Sequence, residues 1–123
     1  MKLLNSLYTI QEHRQHDGIH DFDIRLDAGH FIYQAHFPGE PITPGVCIMQ
    51  IALELMEESV NVGLSVTCVK NVKFLRIISP VEMPELCYSV QKIVVEDETV
   101  KAQIVVSAAD GIYAKLSMIC QKA

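Results

Sequence analysis

Apolar and polar residues alternate most cleanly near the end of the chain. Val100, Ala102, Ile104 and Val106 share one side of an extended run, and Ile112, Ala114, Leu116, Met118 and Cys120 share one side of the next. A period of two places such residues on one face of a strand, so the pattern predicts strands over 100–108 and 112–121. Runs rich in Val, Ile, Leu and Phe predict two more, over 64–78 and 86–95. Glu96-Asp97-Glu98 and Asp110-Gly111 read as the turns between them. Nearer the start, residues 6–16 and 19–28 flank Asp17-Gly18, a dipeptide that favours a tight hairpin. In the second of these runs Ile19, Asp21, Asp23 and Arg25 fall on one side, with Phe22, Ile24 and Leu26 toward the other.

One segment has the helical period instead. Val46, Met49, Ala52, Leu53 and Met56 recur at spacings that line one face of a helix over about 46–62. Thr43 is placed to cap it, Pro44 to occupy its first turn, and Asn61 and Gly63 to end it. Residues 28–44 read as irregular. Two strands, one long helix and a four-strand meander make an α+β chain. A helix with one apolar side beside an antiparallel sheet is buried best when the sheet wraps it. The expected unit is a single domain spanning 1–123.

Composition narrows the function. Half the residues are hydrophobic, enough for a core, yet a chain of 123 residues still exposes much surface that a partner subunit would cover. The net charge of −5 has no basic block to offset it, which argues against a nucleic-acid partner. Cys47, Cys68, Cys87 and Cys120 show no C-x-x-C spacing and read as small hydrophobic residues in a reducing compartment, not as a metal site. The first ten residues carry too short an apolar run for a secretion signal. No stretch approaches the ~20 apolar residues of a membrane span, so a cytoplasmic location is expected.

Of the five histidines, His13, His16 and His20 lie among charged neighbours and read as solvated strand residues, and His30 as a packing or hydrogen-bonding residue. His36 differs by its context, "HFPGEPITPG". Pro38, Pro41 and Pro44 each fix a backbone angle and push the preceding residue toward extended geometry. Such a loop holds neighbouring groups in one place, as a reactive site or a rigid turn would require. At the helix start, the N–H groups of Gly45 and Val46 would point outward from a positive helix end. They could hold a carbonyl oxygen that gains negative charge, while a neutral imidazole removes a proton from the adjacent carbon.

The segment "HFPGEPITPGV" closely resembles the active-site loop of the 3-hydroxyacyl-acyl carrier protein dehydratases. "KNVKFLRIISPVE" is similar to that family's strand with Phe-x-Arg followed by Pro-Gly-Asp. Phe74, Arg76, Pro80 and Glu82 match, and Val81 stands where the glycine would be. Ala35 likewise replaces a usual glycine. The resemblance implies a hot-dog fold, a curved antiparallel sheet around one long central helix. It implies dehydration of 3-hydroxyacyl thioesters on acyl carrier protein, in fatty acid or related acyl or polyene synthesis, with no cofactor.

On this resemblance His36 takes the α-proton and the Gly45 N–H binds the thioester oxygen, with Val46, Phe37 and Pro44 against the substrate. An acid fourteen residues after the histidine would expel the hydroxyl, but that position is Gln50. An amide cannot transfer a proton at useful pH. Glu54 follows one turn later on the same helix face and is the candidate to supply acid through water or through Gln50, or else an ordinary helix glutamate. Glu40 reads as surface. Phe31, Tyr33, Met49 and Leu53 are candidates to line the acyl pocket. Such domains pair, so a homodimer or a hexamer of three dimers is expected, with His36 of one chain facing Gln50 and Glu54 of the other. A related subunit in a heterodimer could supply the missing carboxylate. Lys70, Lys73 and Arg76 could attract an acidic carrier protein. Two other functions remain: a non-catalytic helper that binds the carrier protein, and an acyl thioesterase.

Overall fold

A computed structural model describes residues 2–123. The elements are β1 (Tyr8–His16), β2 (Ile19–Leu26), α1 (Ile32–Ala35), α2 (Gly45–Val60), β3 (Leu64–Phe74), β4 (Glu85–Val95), β5 (Thr99–Ala108) and β6 (Gly111–Lys122). The six strands form one sheet in the order β1-β2-β4-β5-β6-β3, with every neighbouring pair antiparallel. This is the expected α+β hot-dog arrangement.

The core lies between α2 and the inner face of the sheet. Ile51, Ala52 and Leu55 of the helix are fully buried, as are Ile24, Tyr88, Val90, Ile104, Val106, Ala114 and Leu116 of the strands. The alternation read from β5 and β6 is the inner face, except that Ile112 is exposed and Tyr113 is buried instead. Burying a side chain of this size contributes roughly 1.5–3 kcal/mol, so a continuous inner face outweighs local propensity.

Several boundaries differ from expectation. Pro44 is the N-cap of α2, with an extended backbone, and the helix begins at Gly45. Thr43 makes no capping bond; its hydroxyl pairs with that of Tyr33 at 2.9 Å. Asn61 ends the helix in the left-handed conformation, its N–H donating to the Glu57 carbonyl at 2.8 Å. β3 stops at Phe74, four residues early, although Leu75, Ile77 and Ile78 are apolar. Within the segment expected to be irregular, Ile32–Ala35 makes one helical turn.

His20 is not solvated. It is 8 % exposed, and its Nδ1 meets His13 Nε2 at 2.8 Å, with both rings beside Phe22. Burial, followed by repulsion from His13, holds its pKa below the ordinary histidine value. His16 pairs with Asp21 at 2.8 Å, and His30 hydrogen-bonds Ser6 and the Ile32 N–H. All four cysteines are free, and burial pushes the Cys120 thiol up to about 11. No helix among the described residues is long and apolar enough to cross a membrane.

Candidate active site

Short hydrogen bonds hold the histidine loop. α1 ends at His36, whose N–H donates to the Ile32 carbonyl at 3.0 Å. Phe37 and Glu40 exchange backbone bonds of 3.2 and 3.0 Å, closing a turn in which Gly39 sits at φ +79°, a conformation a side chain would strain. The Ile42 N–H returns to the His36 carbonyl at 3.0 Å, and the Thr43 N–H donates to the Ile78 carbonyl at 2.9 Å. The loop is therefore tied to α1 at one end and to the segment after β3 at the other.

The His36 ring is half-buried and stacked on Phe37, with centroids 4.1 Å apart. Its Nδ1 lies 3.3 Å from the Ile42 carbonyl oxygen. A carbonyl can only accept, so this bond puts the proton on Nδ1 and makes Nε2 the basic nitrogen. The loop thus sets the tautomer as well as the position of the ring.

Pro44 delivers the chain into α2, and its carbonyl accepts from Cys47 at 3.0 Å and Ile48 at 3.1 Å. The Gly45 and Val46 N–H groups come before these first intrahelical donors and face away from the helix end. Gly45 lies close under Phe74: a Cβ there would be 3.1 Å from Phe74 Cε2 and 3.2 Å from Cζ and would push the ring outward. Phe37, Val46 and Phe74 are all exposed, Val46 at 62 %. One side of the site is an uncovered apolar surface. A cleft of about 320 Å³ beside the loop is lined by Tyr33, Phe37, Pro38, Gly39 and Pro41, but not by His36 or Gly45.

Glu54 is 3 % exposed and faces the start of the chain. Its carboxylate accepts from the Leu3 N–H at 2.7 Å, the Leu4 N–H at 2.9 Å, the Tyr8 hydroxyl at 3.0 Å and Gln50 Nε2 at 2.9 Å. These donors occupy the four lone-pair positions of a carboxylate, leaving none for a substrate hydroxyl. Burial and then Glu54 hold the Tyr8 pKa far above the ordinary tyrosine value, so Tyr8 stays a donor. Among the described residues no hydrogen bond or ion pair joins His36 to Gln50 or Glu54.

Of the residues expected to line an acyl pocket, Phe31 is 72 % exposed and Tyr33 is buried, while Met49 and Leu53 pack half-buried on the core. Arg76 is held by Asp110 at 3.1 Å and lies over the Tyr113 ring. Phe74 as the wall opposite Gly45 was not foreseen, although the Phe-x-Arg match had singled the residue out. Nor was the convergence of Leu3, Leu4 and Tyr8 on Glu54, for which the sequence carries no signal.

The family model of ApeI-like proteins, described as the ApeI dehydratase, matches residues 11–113. Among curated proteins no sequence matches. Among solved structures, the dehydratase heterocomplex ApeI:P from Xenorhabdus doucetiae superposes with a TM-score of 0.70 at 16 % identity, over 92 % of this chain and 96 % of that one. The proposed thioesterase yhdA from Lactococcus lactis gives 0.72 at 9 % identity, over 100 % and 98 % of the two chains. A proposed thioesterase from Streptococcus pneumoniae, solved with coenzyme A, gives 0.65 at 11 % identity, over 94 % and 85 %. At these identities the structural likeness is one of fold.

Proposed function

We propose that this chain, which belongs to the ApeI-like family of dehydratases, removes water from 3-hydroxyacyl thioesters on acyl carrier protein to leave the trans-2-enoyl thioester. The observation that supports this most is the His36 ring, oriented by Ile42 so that Nε2 is basic, in a loop that runs directly into the unpaired amides at Gly45. The Gly45 N–H takes the thioester oxygen, and His36 Nε2 takes the proton from the α-carbon. The C–O bond then breaks and the hydroxyl leaves. Gln50 can donate a hydrogen bond to that hydroxyl but no proton. The imidazolium formed in the first step is then the group that protonates it, so one histidine serves as base and acid. Glu54 acts through Gln50, whose amide it holds at 2.9 Å. Two copies joined at the β3 edge, in a homodimer or a hexamer of three dimers, would cover Phe37, Val46 and Phe74. The setting is the cytoplasm.

The test is conversion of 3-hydroxyacyl carrier protein to enoyl product, followed by mass spectrometry. Product above the level of His36→Ala supports the reading, and none above it overturns it. Release of free acid would identify a thioesterase instead. A second reading has support from Gln50 and from the heterocomplex of the ApeI:P neighbour: a helper subunit completed by a partner's carboxylate. Gln50→Glu separates the two. A silent parent with an active variant favours the helper. An active parent that gains ~10²-fold favours an enzyme slowed by its amide.

A further inference from the structure

Three of the five histidines are held by groups of another kind. His16 is bound to Asp21, His30 to Ser6 and the Ile32 N–H, and His36 to the Ile42 carbonyl. His13 and His20 are bound to each other, with His13 Nε2 2.8 Å from His20 Nδ1. The β1–β2 hairpin brings them together. His13 lies opposite Phe22 and Gln15 opposite His20, so the two imidazoles are diagonal neighbours on one face. Phe22 stacks on His13 with centroids 4.1 Å apart and backs His20 at 6.4 Å. His20 is buried and His13 exposed, so one ring is anchored and the other is free to tilt. Arg14 and His16 fall on the opposite face, with Asp23 and Asp21.

A hydrogen bond between two neutral imidazoles puts a proton of one ring between the two nitrogens. When the donor ring carries that proton on its other nitrogen, two lone pairs face the same gap, and a cation there satisfies both. No proton is lost in the exchange, because each ring stays neutral. Metal–imidazole bonds are about 2.0–2.1 Å long, so two nitrogens on one ion stand about 2.8–3.4 Å apart, from a square to a tetrahedral arrangement. The observed 2.8 Å is the short end of that range. A tilt of the exposed His13 ring covers the rest and turns its lone pair toward the ion.

We propose that His13 and His20 form a two-histidine site for an imidazole-binding divalent metal ion, Ni²⁺, Cu²⁺ or Zn²⁺, which clasps the edge strand β1 to β2. Neutral imidazole selects these ions over Mg²⁺ and Ca²⁺, which take oxygen ligands. Among the described residues no set of three histidine, cysteine or acidic side chains converges on one point. Water therefore fills the remaining positions, and the ion is exchangeable. The net charge of −5 on the chain favours a cation. Neither histidine belongs to the His36 loop or to α2, so the site does not depend on the dehydration proposed above.

The experiment titrates the full chain with NiCl2, which leaves the free thiols unoxidised. Calorimetry gives the affinity, and amide NMR spectra locate the ion through the broadening that paramagnetic Ni²⁺ causes. Broadening should begin at the amides around His13 and His20. His13→Ala changes an exposed side chain and keeps the fold, yet it should weaken binding ~10-fold or more, at least the cost of losing a ligand's supporting partner. His16→Ala, on the opposite face of the same strand, should bind as the parent does, and MgCl2 should not compete. Neither heat nor broadening with NiCl2 in excess would overturn the proposal. So would equal affinity in the parent and His13→Ala, or broadening that begins at another histidine.

Discussion

The two edges of the sheet are built on opposite rules. β1 presents Glu12, His13, Arg14, Gln15 and His16 to solvent, and Arg14 bridges both Glu12 and Asp23. β3 presents Val66, Val72 and Phe74, followed by Leu75 and Ile77. A strand edge offers unpaired backbone groups to any passing strand, and charge is the usual means of blocking it. β1 is charged along most of its length, whereas β3 sets Lys70, Lys73 and two bulges among these apolar residues. The β3 edge ends at Phe74, the ring that meets Gly45, so covering it would also cover the candidate site.

Giving β3 the character of β1 should have the largest effect. Val66→Lys with Val72→Lys is expected to leave monomers by light scattering and to reduce dehydration to the level of His36→Ala. A dimer that persists unchanged would show that the partner does not use this edge. The next largest effect is on the charged side, where Glu54 fastens Leu3, Leu4 and the start of β1. Glu54→Ala leaves several buried donors unpaired and should cost about 3–5 kcal/mol in urea unfolding. A loss below about 1 kcal/mol would mean that water replaces the carboxylate easily.

A smaller effect is expected from pH on the same hairpin. His20 has a lowered pKa in the fold, so the unfolded chain binds the extra proton first. Its contribution to stability is complete above the unfolded histidine pKa of about 6.5 and declines as pH falls from there toward the folded value. The facing groups are His13, which adds repulsion, and Asp21, which opposes it. Melting curves of His20→Phe should lose most of this acid sensitivity. Least of all, Arg14→Ala should leave assembly intact and move the melting temperature by only about 2 °C, because exposed ion pairs contribute little.

The sequence was most legible where one face is buried and the other solvated. β5, β6 and α2 have that character. The strand periods gave both elements and inner faces, whereas α2 was placed but turned, since Val46 is exposed and Met49 and Leu53 are half-buried while Cys47, Ile48, Ile51 and Leu55 join Ala52 and Met56 in the core. β3 does not, because an edge strand with two bulges exposes residues on both sides, so its apolar run over-predicted its length. α1 is a single turn, too short to show a period. His20 was recoverable, since it shares the inward parity of Phe22, Ile24 and Leu26, but its charged neighbours suggested solvent. At the site, the His36 loop could be read from its prolines and glycines. The setting of Glu54 could not, because its partners Leu3, Leu4 and Tyr8 lie 46 to 51 residues away and two of them act through backbone N–H groups.

The bulges in β3 carry one more consequence. They divide its ladder into the stretches Leu64–Val66, Cys68–Lys70 and Lys73–Phe74, none longer than three residues. Fibril growth needs an uninterrupted flat segment of about six or seven. A chain still waiting for its mate can therefore display greasy backbone without seeding a fibre, since only a strand bent at the same places can follow it along its whole length.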